Sequence, residues 1–242
     1  MEKQQGLCRR CVVRQECIFA EVGEEALHGR ARWVRYSKRA MIFHEGEPAG
    51  GLYVLYQGKV MLFKHAPNGQ RRIFDIVGPA GILGEEALLA NSSYMLSAQA
   101  LTQVHMLFIT RMDMQHLCEE VSVQRRLWAR LLQRLRRTQE LLLEMRSLDS
   151  RERLVRLLTR LTVEHGSPCG PDGWVALDLP LTQAELAEIV GLSREAVSKH
   201  LSYFKEQGAI QVARCKLFIN PSALVATWNE SPVRKRSFMQ IA

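Results

Sequence analysis

The chain has 242 residues, of which 47% are hydrophobic and 24% are charged, and its formal net charge is +8. This length allows one large or two modest domains with ordinary hydrophobic cores. The sequence contains neither an uncharged apolar run of about 18 residues nor an N-terminal signal core, so we expect no membrane span and a cytoplasmic location. The basic balance favours a polyanionic partner, because Lys and Arg displace counterions from phosphates.

Six cysteines occur in the chain, and three of them lie within the first 17 residues. Cys8, Cys11 and Cys17 have C-x2-C-x5-C spacing, whereas the other three cysteines are far apart. Cysteines of a cytosolic protein stay reduced, so their spacing is more informative than their even number. We interpret residues 1–30 as a cysteine-containing segment that ends in a short helical stretch.

Residues 31–111 have the pattern of a small all-β domain. Short apolar runs at 52–56, 60–63 and 73–77 alternate with turn signals that contain Gly, Pro or Asn. Such evenly spaced short strands predict a barrel or a jelly roll. Asn68 and Gly69 lie between two of these runs and predict a hairpin turn, because both residue types tolerate a positive φ.

Residues 112–147 have a helical pattern with a narrow apolar stripe. Its members are spaced alternately by three and four residues, as in a coiled coil: Trp128, Leu131, Leu135, Thr138, Leu142 and Met145. A helix of this size would be roughly 45 Å long, more than its own domain can cover. We therefore predict that this stripe forms a dimer interface, the alternative being a helix packed on its own barrel.

Residues 148–228 predict a DNA-binding domain, followed by a basic tail at 229–242. Thr182 and Glu185 form a capping box before one amphipathic helix, and Gly191 provides the turn to a second helix that Ser193 caps. The second helix has a buried side (Val197, Leu201 and Phe204) and a polar outer side (Arg194, Glu195, Ser198, Lys199 and Ser202). A polar leading turn suits the major groove of DNA.

Two short strands after this helix predict a wing with a basic turn. Arg214 and Lys216 in that turn would lie near phosphates, which supply affinity without sequence information. Enzymatic activity is not expected, because the chain has no P-loop, no G-x-S-x-G elbow and no H-E-x-x-H motif. His44 and Glu45 would begin a jelly-roll metal site, but no H-x-H partner follows them.

At residues 191–199 the sequence Gly-Leu-Ser-Arg-Glu-Ala-Val-Ser-Lys resembles the recognition segment of the Crp/Fnr family of bacterial transcription regulators. The glycine-punctuated β region and residues 149–154 are similar to the family's sensor and hinge. The resemblance implies an α+β fold with an N-terminal double-stranded β-helix (a jelly-roll, cyclic nucleotide-binding-like sensor), a long dimerisation helix and a C-terminal winged helix-turn-helix.

The resemblance also implies the partners and the DNA contacts. The partners are double-stranded DNA with two-fold symmetric sites, a second copy of the chain, and RNA polymerase. Arg194, Glu195 and Lys199 would contact base edges, and Ser198 would add selectivity. Further contacts are expected from Thr182, Gln183, Ser193, Arg214 and Lys216. Much of the family has Arg where this chain has Lys199, which lacks the planar bidentate fork of a guanidinium.

The resemblance to the family's subgroups bears on the sensed signal. Members that bind cyclic nucleotides use an Arg-Ser-Ala segment, whereas residues 93–100 contain no Arg, so cyclic AMP is not expected, although Glu85 is retained. The cysteine spacing and the Ala-Gln-Ala-Leu segment at 98–101 are similar to the iron–sulfur subgroup, the fumarate and nitrate reduction type. This implies a cluster, of the [4Fe–4S] kind, that responds to oxygen, nitric oxide or redox state.

The ligands of that cluster would be Cys8, Cys11, Cys17 and a fourth group. Leu107 occupies the subgroup's fourth position and cannot ligate, so Cys118, His105 or a carboxylate would substitute for it, and Cys118 is our choice. Arg9, Arg10 and Arg14 would lower the pKa of the thiols. The alternatives are zinc, thiol oxidation, a small effector in the jelly roll, and haem bound by His44, His65, His105 or His116.

Overall fold

The computed structural model describes residues 11, 13–169, 172–213 and 216–229. Cys8, Arg214, Cys215 and the basic tail from 230 onward lie outside the described residues. The chain divides into two compact units, with the boundary between Gln139 and Glu140. This boundary falls inside the region expected to be the dimerisation helix, rather than at its end. In the described ranges no helix has the length and apolarity that crossing a bilayer requires.

The first unit contains two antiparallel sheets that face each other, as the jelly-roll prediction requires. One sheet has the strand order β1-β8-β3-β6, and the other has the order β2-β7-β4-β5. Their inner side chains form a closed apolar core that includes Leu55, Met106 and Phe108. The strands are β1 (Ala31–Tyr36), β2 (Met41–Phe43), β3 (Gly51–Gln57), β4 (Val60–His65), β5 (Arg71–Val77), β6 (Ile82–Leu83), β7 (Ser97–Ala100) and β8 (Val104–Thr110).

The predicted hairpin turn joins β4 to β5, but its geometry differs from the expectation. Gly69 takes a φ of +77°, and Asn68 is not among the residues with positive φ. The Asn68 side chain instead accepts a hydrogen bond from the Gln70 amide at 3.1 Å. The Ala66 amide donates to the Gln70 carbonyl at 2.9 Å. The turn is therefore wider than a two-residue turn and relies on the Asn side chain as well as on Gly.

The region predicted as one helix from 112 to 147 forms two helices. After α1 (Glu24–Leu27) and α2 (Glu85–Leu89), α3 (Arg111–Leu117) is followed by α4 (Val121–Ser147). Thr110 caps α3 by accepting from the Asp113 amide, and Cys118 is the C-cap that follows its last residue, Leu117. The apolar spacing alone does not reveal this break, because both helices pack apolar residues against the same core.

The described part of the cysteine segment is an integral part of the first unit. Ile18 and Phe19 are buried in a second apolar cluster on the outer side of the sheet that contains β3 and β8. Val123 and Leu127 of α4 bury their side chains in the same cluster. Fully burying a side chain such as Ile18 contributes roughly 1.5–3 kcal/mol. Packing of this kind holds the segment and α4 on one face of the sheet.

Two arginines of α4 form ion pairs with the jelly roll. Arg134 donates to Glu85 at 2.5 Å and to Glu86 at 2.8 Å, and Arg137 pairs with Asp75 at 2.9 Å. Glu85 is only 5% exposed, and one of its oxygens has no partner in the described structure. Burial therefore raises the pKa of Glu85 to about 7, and the attraction of Arg134 only partly opposes this effect.

The second unit has a four-stranded antiparallel sheet in the order β11-β12-β10-β9 and helices that cover it. The capping box of Asp149 and Glu152 begins α5, whose buried side includes Leu154, Leu158 and Leu161. The elements are α5 (Ser150–His165), β9 (Gly166–Pro168), β10 (Val175–Leu177), α6 (Gln183–Val190), α7 (Arg194–Glu206), β11 (Ile210–Ala213), β12 (Lys216–Ile219) and α8 (Pro221–Asn229).

Glu85 gives the stability of the chain a pH dependence with a definite sign. Between pH 4.5, its ordinary pKa, and about 7, the unfolded chain loses the Glu85 proton whereas the folded chain keeps it. Raising the pH through this window therefore favours unfolding. Glu85→Gln should remove this loss of stability. We therefore expect the free energy of unfolding of wild type, minus that of the variant, to fall as the pH rises through this window.

Chemical denaturation at several pH values measures this difference. Glu86→Gln is the matched control, because it removes the other carboxylate that Arg134 contacts, and it should keep most of the wild-type pH dependence. A constant difference between wild type and Glu85→Gln across the window would contradict the prediction.

Candidate nucleic-acid interface and cysteine cavity

The predicted helix-turn-helix is present in the second unit with the expected caps. Thr182 accepts from the Glu185 amide at 3.1 Å, and the Glu185 carboxylate accepts from the Thr182 amide at 2.8 Å. Gly191 ends α6 with a φ of +70°, a conformation that costs other residues strain. Ser193 caps α7 by accepting from the Ala196 amide at 3.1 Å. The Thr182 and Ser193 side chains thus shape the two helices.

The two sides of α7 match the sequence interpretation with one exception. Val197 and Phe204 are fully buried, whereas Leu201 is half-buried rather than part of the core. An open concavity with about 760 Å³ of empty space lies against the outer side of α7. Its lining consists of Gln183, Arg194, Glu195, Ser198, Lys199 and Ser202. The predicted base-contacting side chains are therefore brought together, and Thr182 and Ser193 do not line the concavity.

The chemistry of the concavity suits base edges. Arg194 and Lys199 are exposed donors for guanine or phosphate, and Glu195 is an acceptor for the amino group of cytosine. Hydrogen bonds from its own backbone amide and from Ser193 lower the pKa of the Glu195 carboxyl. Glu195 is therefore an ionised acceptor at neutral pH.

The wing is present, with β11 and β12 paired in antiparallel register. Lys216 begins β12 and forms an exposed ion pair with Asp178 at 3.0 Å. An exposed pair of this kind is weak, so Lys216 stays available to a phosphate. Arg214, the other predicted phosphate contact, lies outside the described residues.

The structure adds a contact of α7 that the sequence did not indicate. The Ser150 hydroxyl and His200 Nε2 are 3.0 Å apart, and Arg151 lies 5.2 Å from the ring centre of Tyr203. Burial and the nearby Arg151 lower the pKa of His200, so its imidazole is neutral at pH 7. These contacts hold α7 against the start of α5. No local sequence signal could reveal partners that are 50 residues apart.

In the first unit, Cys11 and Cys17 line one small apolar cavity of about 30 Å³. Its floor is the outer face of the sheet, through Trp33 of β1, Tyr56 of β3 and Leu107 of β8. Cys8, the third cysteine of the motif, lies outside the described residues. The fold therefore places two of the three spaced thiols beside Leu107, the residue at the subgroup's fourth ligand position.

The expectation that Cys118 completes this site is not supported by its position. Cys118 packs against the same apolar cluster as Cys17, but it is not among the residues that line the cavity. Within the described residues, no three His, Cys, Asp or Glu side chains form a group suited to a metal ion. His105 is on β8, two residues before Leu107, and it does not line the cavity either.

The predicted lowering of thiol pKa values is wrong for Cys17. Burial raises the pKa of the Cys17 thiol, and the hydrogen bond from the Phe19 amide and the charges of Arg130 and Arg126 offset this only in part. Arg14 is not among the groups that shift the pKa of Cys17, and its guanidinium donates to the carbonyls of Ala20 and Val22. Cys17 is therefore a protonated thiol when no metal is bound, which disfavours direct oxidation, and a metal would have to displace its proton to bind.

The interior of the jelly roll leaves little room near the position of Glu85. The Tyr94 ring stacks on Phe43 with centroids 3.9 Å apart, and its hydroxyl donates to the Gly51 carbonyl at 2.8 Å. A small pocket beside Tyr94, with about 230 Å³ of empty space, has Arg134 in its lining. The cationic group at this pocket thus comes from α4 and already binds two carboxylates.

The apolar stripe of α4 is exposed on the described chain. Trp128 is 65% exposed, and Leu135, Leu142 and Met145 are similarly open. Thr138 is also exposed, but its hydroxyl donates to the Arg134 carbonyl of the same helix. Leu131 differs from the predicted seam, because it is half-buried against the sensor core, and Leu132 is 63% exposed in its place.

Comparisons with known proteins agree with this architecture. Residues 33–121 match the cyclic nucleotide-binding domain family, and residues 152–226 match the Crp-like helix-turn-helix domain family. FixK2 from Bradyrhizobium japonicum has a similar structure, with a TM-score of 0.70 and 25% identity over 81% of this chain and 96% of that one. The regulator CLP of Xanthomonas campestris, described as responsive to c-di-GMP, shares the fold with a TM-score of 0.70 at 24% identity, over 81% of this chain and 97% of that one.

A curated relative gives the assignment. The CRP-like cAMP-activated global transcriptional regulator of Mycobacterium tuberculosis is 30% identical over 83% of this chain and 89% of its own length. A match over 202 residues extends into both units of the chain. This relative is named as a transcription regulator and not as an enzyme. The chain accordingly belongs to the Crp/Fnr family of DNA-binding transcription regulators.

Proposed function

We propose that two copies of this chain bind a two-fold symmetric DNA site, and that an iron–sulfur cluster on the cysteine segment controls this binding. The exposed stripe of α4 supports the dimer, because an apolar stripe of that length needs a partner. RNA polymerase is the proposed further partner of the DNA-bound dimer. The observation that carries the proposed signal is the common cavity of Cys11 and Cys17 beside Leu107.

Base recognition is proposed for the side chains that line the concavity on α7. Arg194 is at the first position of α7, where a side chain enters the major groove. Lys216 is on the wing, where contacts go to phosphates and are insensitive to sequence. The two residues should therefore differ in how their loss affects specific and random DNA.

We expect Arg194→Ala to weaken binding to the selected site by about 1–3 kcal/mol, with a smaller loss on random DNA. The site is first obtained by selection from a random duplex library with the wild-type chain, and affinities are then measured at fixed salt. Lys216→Ala is the matched control, since it removes one cation but should weaken both DNAs equally. Equal losses on both DNAs for Arg194→Ala would make Arg194 a phosphate contact.

The chemistry of the cavity fits an iron–sulfur cluster. Thiolates are its usual ligands, and Cys8, Cys11 and Cys17 are the residues that would hold it. The apolar floor of the cavity would shield the site from water, and the cations of Arg126 and Arg130 lie close enough to Cys17 to offset negative charge there. When bound, a cluster supplies a group that reacts with oxygen or nitric oxide, or changes redox state.

Other effectors fit less well. The Mycobacterium tuberculosis relative is named for activation by cAMP. In this chain residues 93–100 contain no Arg, and Arg134 already pairs with the retained Glu85. A cyclic phosphate would lack its own cationic partner there, so we propose that cAMP is not the effector. Zinc, a thiol switch, haem and a small effector in the jelly roll are the alternative outcomes of the test below.

We expect anaerobic purification to give about four iron and four sulfide per chain, with a broad visible absorption that bleaches in air. Cys11→Ser and Cys17→Ser should each lose most of the iron. Cys169→Ser is the matched control, because Cys169 is an exposed free thiol, and it should keep the full iron content. Cys118→Ser should also keep most of it, given its position outside the cavity. Zinc alone, or no metal, would contradict the proposed cluster.

A further inference from the structure

Two arginines at the start of α4 hold the peptide that leads into Cys17. Arg126 donates to the Gln15 carbonyl at 2.8 Å, and Arg130 donates to the Glu16 carbonyl at 2.5 Å. These carbonyls belong to the 3-10 turn Arg14–Glu16, which ends at Cys17. The guanidinium groups therefore bind the open end of this turn, where carbonyls lack partners within the turn.

The same helix also binds the cysteine segment after Cys17, at Glu21. Arg126 also contacts the Glu21 carboxylate at 2.8 Å, and Arg125 contacts it at 3.1 Å. The two cations hold the pKa of the Glu21 carboxyl below its ordinary value, with the Arg126 hydrogen bond as the largest cause. The peptide of Cys17 thus lies between two anchor points, at residues 15–16 and at residue 21, and α4 supplies the cation at both.

Neighbouring residues of α4 face in two directions. Leu127 is buried in the cluster that contains Ile18, whereas Trp128 is 65% exposed in the apolar stripe. Arg126 and Arg130 flank this pair along the helix. A displacement of the Cys17 peptide would therefore act on α4 within one turn of the stripe that meets the second copy.

We propose that Arg126 and Arg130 are positioning residues that couple the state of Cys17 to the pairing of α4 between two copies of the chain. This inference rests on the proposed role of Cys17 in the sensing site and adds the residues through which that site acts. A displacement of Cys17 alters the hydrogen bonds of the residue 15 and 16 carbonyls. Those bonds end on α4, so the stripe beside them shifts as well.

The first measurement is the rate of alkylation of Cys17 by iodoacetamide in the full metal-free chain at one fixed pH, followed by mass spectrometry. With Arg126→Gln and Arg130→Gln together, we expect Cys17 to react about tenfold faster or more, since opening of its site exposes it. Cys169 is the internal reference, and Arg136→Gln, an exposed arginine of α4, is the control.

The outcomes separate docking from a purely electrostatic role. If the arginines acted only through their charge and did not hold the peptide, their loss would slow the alkylation of Cys17. That result, or an unchanged rate, would overturn the proposal. Neither outcome depends on iron. The role of the two arginines can therefore be confirmed in a chain that binds no cluster, and it can be contradicted in a chain that does bind one.

The second measurement is the dimer dissociation constant by sedimentation velocity. Cys17→Asp puts a carboxylate in the apolar cavity in place of the thiol, so the peptide of residues 15–17 has to move. We expect it to change the dissociation constant at least about fivefold in the wild-type background. The change should be less than about twofold when Arg126→Gln and Arg130→Gln are present. Equal changes in both backgrounds would show that Cys17 acts through another route, and would overturn the proposal.

Discussion

The contacts of one row of arginines along α4 determine which changes in the sensor unit can act on this helix. Arg126, Arg130, Arg134 and Arg137 are spaced by three or four residues and so share one side of the helix. The first two bind the cysteine segment, and the last two bind carboxylates of α2 and β5. Each guanidinium is permanently charged. When one of its partners moves or changes charge, either the arginine side chain or the helix must therefore move as well.

This row bears on the proposal that cAMP is not the effector of this chain. In the jelly roll, Arg134 supplies the cation beside Glu85, and Tyr94 occupies space with its ring. The cysteine cavity lies on the outer face of the sheet that contains β1, β3 and β8. The peptide that leads into Cys17 contacts the same helix through Arg126 and Arg130. The proposed signal thus enters at a different place and acts on the same element.

Much of this architecture could be predicted from the sequence, because local patterns specify it. The caps at Thr182 and Ser193, the Gly191 turn and the alternating strands are all short-range signals. The break between α3 and α4, the inward packing of Leu131 and the Ser150–His200 contact depend on tertiary neighbours, which spacing does not reveal. The raised pKa of Cys17 was missed for the same reason, since charge is visible in a sequence and burial is not.

DNA binding by one preparation before and after removal of its metal tests the central claim most directly. The anaerobically purified chain and its metal-stripped form are titrated onto a duplex that carries one selected symmetric site. We predict two chains per duplex, and an affinity at least about tenfold higher for the iron-loaded form, because the cysteine segment acts on the pairing of α4. Equal affinity and stoichiometry for the two forms would contradict the account.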